Sequence, residues 1–382
     1  MINIMKILSF LSILLVSFFL LGTVISASAA SNTSEHTYAV GSNPEDIAID
    51  ASGNVWVVNS GNGTVGTAVG DSNVTRLSPS GRGGYTSATY TAGSSPYAIA
   101  IDASGNAWIT NDPDQLIGTA SGDSNVTELS SSGKLIGTYA AGSNPRGIAI
   151  DASGNIWVTN LGNGDVGNGN YYGAAKYDSC VTKLSSSGKF IGTYTAGSTP
   201  YAIAIDALGD VWVVNRPYAG NSGLTKLDSS GDVLGSGNMG FSTWGIAIDR
   251  TNLPWVTIEA SGVVAALNFS SLLTHAMPAI YPTGTDPKGI AIDASGNVWV
   301  VNQGNGTVGP APGDSNVTEL SSSGKLIGTY AAGTYPDGIA IDASGNVWVV
   351  NSGGTVTELV GVAKGPQFWP YSGPQFPGGG NY

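Results

Sequence analysis

Seven positions of this chain hold Glu45, Tyr97, Arg146, Tyr201, Trp244, Lys288 and Asp337, each at the same place in a phrase that is otherwise copied almost unchanged. Two are carboxylates, two are cations and three are aromatic. Carboxylates hold a cation or accept from hydroxyls, aromatic rings stack on a ligand, and an arginine grips an anion. Brought together, they would read a ligand. Left apart, they would be solvated variation at loop ends. The choice depends on the elements that carry them.

Those elements belong to a repeat. An apolar Ile-Ala-Ile-Asp, a turn that is usually Ala-Ser-Gly-Asn, and an apolar stretch around a tryptophan begin at Ile47, Ile99, Ile148, Ile203, Ile246, Ile290 and Ile339. The spacings are 52, 49, 55, 43, 44 and 49 residues, within the range of propeller blades. In the sixth copy, Gly289–Asp293, Val298–Asn302, Asn316–Leu320 and Lys325–Tyr330 read as four strands. The turns Ala294–Asn297 and Ser321–Gly324 and the long polar stretch Gln303–Asp314 join them. Period-2 alternation and glycine turns mark antiparallel pairing, and four antiparallel strands make one blade. His36–Gly41 echoes Gly328–Gly333, and the last copy has a third strand at Thr355–Val360 but no fourth. The N-terminal segment therefore supplies the missing outer strand and leaves no open edge. The expected fold is all-β, a seven-bladed propeller over residues 36–360.

In such a blade the short, constant turns share one face, and the long, variable second-to-third loops share the other. Binding is expected on the long-loop face. If the first strands line the axis, the seven uncopied residues ring the mouth of the channel. Glu45, Asp46 and Asp337 then come together from adjacent blades with Lys288 beside them, and Tyr97, Arg146, Tyr201 and Trp244 form the other arc. The acidic trio is the candidate site for Ca²⁺ or Mg²⁺.

The copied residues read as scaffold. Asp50, Asp102, Asp151, Asp206, Asp249, Asp293 and Asp342 accept from turn N–H groups and lack the ligand pattern of an EF-hand. The tryptophans Trp56, Trp108, Trp157, Trp212, Trp255, Trp299 and Trp348 pack between blades. Asn59, Asn111, Asn160, Asn215, Asn302 and Asn351 end the second strands, where they cap or line a site; the fifth copy has Ile258 followed by Glu259. Asp71/Asn73, Asp123/Asn125 and Asp314/Asn316 form Asx-turns or assist a Ca²⁺ site.

Composition narrows the partners. Lys and Arg number 14 against 26 Asp and Glu, a net charge of −12, and there are 56 glycines. No basic patch is present to neutralise phosphates, so nucleic acid is excluded. The expected ligand at the channel mouth is a small molecule, a glycan or a protein. Residues 1–30 read as a signal peptide, with an apolar Ile7–Leu21 ahead of Ala27-Ser28-Ala29. A secreted or cell-surface location follows, with membrane attachment only if the segment stays uncleaved. Cys180 is the only cysteine, so no intrachain disulfide forms, and the residue reads as a small buried hydrophobe. Residues 361–382 are a tail rich in Pro, Gly and aromatics, expected to lie along the ring rather than to dock a partner. The sequons at Asn32, Asn62, Asn73, Asn125, Asn268, Asn305 and Asn316 matter only in a glycosylating host.

The stretch Pro287–Val300, with its Pro-x-Gly-Ile-Ala strand, turn and Trp strand, resembles NHL-repeat propellers and, more closely, the virginiamycin B lyase (streptogramin lyase) family. The resemblance covers seven copies over residues 36–360 and rests on scaffold motifs. It implies a seven-bladed propeller. For activity it implies opening of a cyclic depsipeptide by elimination, with Mg²⁺ and a histidine base. The chain departs from that pattern. His36 lies in the closing strand and His275 in the irregular half of the fifth copy, and neither stands where a channel base is expected. No lyase residue carries over, although Glu45 or Glu259 could abstract a proton. The leading expectation is an exported, non-catalytic binding propeller. The alternatives are a divalent-metal lyase or lactonase, or a purely structural surface protein.

Overall fold

A computed structural model describes residues 34–364, except 63, 69, 82, 113–123, 163–179, 217–222, 241, 275–277 and 312. The expected signal segment, His275, Asp123 and the tail beyond residue 364 lie outside the described residues.

Seven four-stranded antiparallel sheets follow one another along the chain. Their innermost strands are Pro44–Ile49, Pro96–Ile101, Pro145–Ile150, Pro200–Ile205, Thr243–Ile248, Pro287–Ile292 and Pro336–Ile341. These touch one another in cyclic order, the last against the first. The seventh blade is completed by Glu35–Ala39, which pairs antiparallel with Thr355–Leu359 from Glu35↔Leu359 to Ala39↔Thr355. The first strand of the chain thus closes the ring, and no unpaired edge is left at the seam.

The core lies between blades. The cluster around Ile47, Val55 and Val57 of the first blade includes Trp348, Val350 and Val356 of the seventh. All seven repeat tryptophans are at most 1% exposed. Each indole N–H donates to the aspartate six residues earlier, from Trp56 to Asp50 at 3.0 Å through Trp348 to Asp342 at 3.1 Å. The other carboxylate oxygen closes the turn, as Asp50 does by accepting from the N–H groups of Ser52 and Asn54. One side chain therefore satisfies a tight turn and a buried indole together.

The six strand-ending asparagines are structural as well. Each Nδ2 donates to a threonine hydroxyl on the third strand, from Thr75 to Thr357, at 2.9–3.1 Å. They are buried and do not line the cavity described below. Asp71 and Asp314 accept from the N–H groups of Ala68 and Ala311 within their own loops.

The fourth blade departs from the copy. Elsewhere a tyrosine of the outer strand stacks on the tryptophan, as Tyr139 does on Trp108 at 5.3 Å. The fourth outer strand, Val233–Asn238, has no tyrosine. Phe269, from the short helix Phe269–Thr274 inserted in the fifth blade, meets Trp212 edge-on at 5.5 Å instead. A side chain on Gly235 would collide with this ring. At the C-terminal end, residues 361–364 lie along the ring. The Ala363 N–H donates to the Gly345 carbonyl, and Ala294 and Lys364 are tied by backbone bonding.

Candidate functional site

Backbone geometry aims the uncopied residues. In every blade the pairing of the innermost strand slips just after its first residue. A bulge of this kind takes the next side chain out of the ladder and re-aims it. The residue ahead of the strand is left-handed in six blades, with φ of 46–57°. Its carbonyl accepts from the N–H of the residue that follows the second strand in all seven blades, at 3.0–3.2 Å. Two variable positions are thereby held side by side at the channel mouth. One is the predicted ring. The other is Ser60, Asp112, Leu161, Arg216, Glu259, Gln303 and Ser352.

Neighbouring blades clamp the ring's backbone. The Thr110, Thr159 and Thr257 hydroxyls donate to the carbonyls of Arg146, Tyr201 and Lys288 in the next blade at 2.8–2.9 Å. Gly147, Gly245, Gly289 and Gly338 follow four ring residues, and an added Cβ there would press on backbone of the next blade. The strands meet too closely at the axis for a side chain at these glycines.

The cavity at the mouth has a volume of about 40 Å³ and opens to solvent, and its lining includes Glu45, Asp46, Tyr97, Tyr201, Trp244 and Asp337. The structure thus brings five of the seven predicted residues, with Asp46, to one cavity. Arg146 and Lys288 are not part of the lining. They stand behind the aromatic groups, already paired. Arg146 bonds Asp112 at 2.6 Å and covers the Tyr97 ring at 4.2 Å. Lys288 bonds Glu259 at 2.5 Å, reaches Asp286 at 3.4 Å and covers Trp244 at 3.8 Å. Arg216 bonds the other Glu259 oxygen at 2.7 Å and covers Trp244 at 4.0 Å. The Tyr97 and Tyr201 hydroxyls are hydrogen-bonded to each other, and Tyr201 meets Trp244 edge-on at 5.2 Å. The Arg146 guanidinium, expected to grip an anion, is engaged by the buried Asp112 carboxylate.

The acidic trio Glu45, Asp46 and Asp337 meets in the lining of this cavity. One oxygen of the buried Asp46 accepts from the Ile99 N–H at 2.9 Å and locks the first blade to the second. Among the described residues no group of three or more His, Cys, Asp or Glu is placed to hold a metal ion. His36 lies on the outermost strand of the seventh blade, away from the axis.

Electrostatics separate the carboxyls. Burial raises Glu45, against the Ser60 hydroxyl, which donates to it at 2.8 Å, and the charge of Arg146. Burial, then the charge of Glu45, pushes Asp337 up to about 7, against the opposing pull of Lys288. Burial acts to raise Glu259 as well, but the hydrogen bond from Lys288 and the charge of Arg216 outweigh it and hold the carboxyl below its ordinary value. Burial places Tyr97 far above the ordinary tyrosine range and Tyr201 at about 12. Both phenols are neutral donors at physiological pH. Asp337 makes no hydrogen bond or ion pair among the described residues; its one open side is the channel.

Asp112 and Arg216 were missed by the sequence reading. Their signal was available, since the residue after each second strand also differs from copy to copy. It was masked by the adjacent asparagine, which is copied.

No family model matches the chain, and no curated protein sequence matches it. Solved structures do. A streptogramin B lyase structure superposes with a TM-score of 0.64 at 15% identity, over 87% of this chain and 99% of that one. Virginiamycin B lyase from Staphylococcus aureus gives 0.62 at 14%, over 86% and 99%. A catalytically inactive form of that enzyme with quinupristin gives 0.62 at 17%, over the same shares. A functionally unknown protein from Desulfotomaculum acetoxidans gives 0.53 at 14%, over 77% and 90%. At such identities the likeness is one of fold. The chain is a seven-bladed β-propeller similar in architecture to these lyases.

Proposed function

We propose that this chain is an exported, non-catalytic binding propeller that takes a ligand at the channel mouth on its long-loop face. One observation carries the reading. The residues copied in every blade are satisfied within the scaffold, whereas Glu45, Tyr97, Tyr201, Trp244 and Asp337, which are not copied, line one cavity. Apolar walls with a few convergent polar groups on a clamped backbone are the usual form of a small-ligand site. The ligand is a small molecule, or an end group of a glycan or protein narrow enough to enter.

A glycan and peptide array identifies the ligand, and titration calorimetry then measures it. Tyr97→Ala and Glu45→Gln are expected to weaken binding about tenfold or more, while Leu208→Ser, on the opposite face, leaves it unchanged. Unaltered binding in both cavity variants overturns the reading.

A second reading has one observation in its favour. A carboxyl near 7 inside a cavity, such as Asp337, suits general-base work in a lyase or lactonase. Turnover of a lactone or cyclic depsipeptide by the purified chain, lost in Asp337→Asn, would establish it in place of the first.

A further inference from the structure

We propose that the channel mouth, read as a binding site as above, takes an organic cation: an alkylammonium or alkylguanidinium group on an apolar stem, its charge between Glu45 and Asp337 and its stem against Tyr97, Tyr201 and Trp244.

The charge arrangement points to this class. Around the mouth stand six carboxyls (Glu45, Asp46, Asp112, Glu259, Asp286 and Asp337) and three cations, Arg146, Arg216 and Lys288. All three cations are taken by Asp112, Glu259 and Asp286. Glu45 and Asp337, which face the cavity, have no cation bonded to them among the described residues. Among the described residues the Glu45 carboxyl accepts from the Ser60 hydroxyl alone, and the Asp337 side chain makes no hydrogen bond or ion pair. Their strands are in contact: a Cβ on Gly338 would lie 3.2 Å from the Glu45 carbonyl oxygen.

An anionic ligand would meet this acidic surface with no free cation to bind among the described residues. A divalent ion would find one oxygen of Asp46 already accepting from the Ile99 N–H, and among the described residues no group of three or more His, Cys, Asp or Glu is placed to hold it. A single positive charge needs only two carboxyls, and the aromatic wall covers its stem. The scaffold already pairs cations with these rings, since Arg146 lies over Tyr97 at 4.2 Å.

The same geometry makes the site sensitive to pH. Asp337 faces Glu45 from the first blade, Lys288 and Asp286 from the sixth and Arg216 from the fourth. Burial and the charge of Glu45 raise the Asp337 carboxyl to about 7. A cation binds the ionised form, so affinity falls as pH falls and the proton competes. An alkylammonium stays charged throughout.

Titration calorimetry on the full chain tests this. The probes are butylammonium, butylguanidinium, the peptide Gly-Lys-Gly, butanol as the neutral isostere, and Mg²⁺ and Ca²⁺ alone. The organic cations are expected to bind and butanol is not. Affinity should fall about tenfold from pH 8 to pH 6. Asp337→Asn should weaken binding at least tenfold at pH 8 and abolish the pH dependence, and Glu45→Gln should weaken it less. A thermal melt shows that Asp337→Asn is folded. Tighter binding of the peptide than of the free amines assigns the cation to a protein side chain, and the reverse order assigns it to a small amine. Either order supports the inference.

Absence of binding by the organic cations at about 10 mM overturns the inference. So does equal binding of butanol, binding of the divalent ions alone, or an unchanged affinity in Asp337→Asn. If a neutral glycan binds and Tyr97→Ala abolishes it, the cation inference falls while the channel-mouth site stands. If a cation binds and neither Asp337→Asn nor Tyr97→Ala changes it, both fall.

Discussion

The two ends of the innermost strands are built on opposite rules. At the C-terminal end seven aspartates each accept from a turn and from a buried indole, and the arrangement is the same in every blade. At the N-terminal end, five residues earlier on the same strands, seven positions carry seven environments. Some are paired across blades, as Arg146 is with Asp112. One, Asp337, faces the channel with no hydrogen bond or ion pair among the described residues. The contrast shows what copying preserves. A group that meets all its partners within its own blade can be repeated without regard to its neighbours. A group on the axis meets residues from other blades, so each position has its own context and identical copies would repel or collide.

The contrast can be broken most forcefully at the copied end. Trp348→Ala removes a fully buried indole from the blade that closes the ring and takes one of the donors from Asp342. A loss of about 3–5 kcal/mol is expected by chemical denaturation, with affinity at the mouth unchanged wherever the protein stays folded. At the uncopied end, Arg146→Ala takes the ion pair from the buried Asp112 carboxylate and uncovers Tyr97. About 3 kcal/mol is expected to be lost, and Asp112→Asn in the same chain should restore part of it.

The smallest expected effect has the opposite sign and sharpens the comparison furthest. The carboxyl of Asp337 is raised in the folded state above its unfolded value. Its contribution to stability is therefore complete below the unfolded value, near pH 4, and is lost as pH rises through about 7. Asp337→Asn removes that decline. At pH 8 the variant should be more stable than the parent by about 1–2 kcal/mol, a discounted figure because the group still meets channel water. At pH 4 the two should melt alike. A site residue whose removal stabilises the fold is the pattern expected where position serves binding rather than folding.

Much of this was legible before any coordinates. Ile-Ala-Ile-Asp with its turn and tryptophan marked the blade, and the echo of Gly328–Gly333 in His36–Gly41 marked the closing strand. The uncopied ring was visible as well, because variation stands out against near-identical neighbours. The pairings were not. Nothing in the order of residues says that Arg146 reaches back one blade to Asp112, or that Lys288 and Arg216 share Glu259. Nor does the missing tyrosine of the fourth outer strand announce that Phe269, from the next blade, takes its place.

Sequence alone determined the blade, because a blade is local. Strand alternation, glycine turns and the aspartate–tryptophan pair act within some fifty residues and need no knowledge of the rest of the chain. Tertiary structure decided which charges at the axis are neutralised and which remain open. That outcome depends on distances between strands far apart in the chain, set only when the ring closes. Electrostatic energy follows separation and burial rather than residue order, so the same three cations could have faced the channel or been drawn away from it. Here Asp112, Glu259 and Asp286 draw them away, and the cavity is left acidic and aromatic.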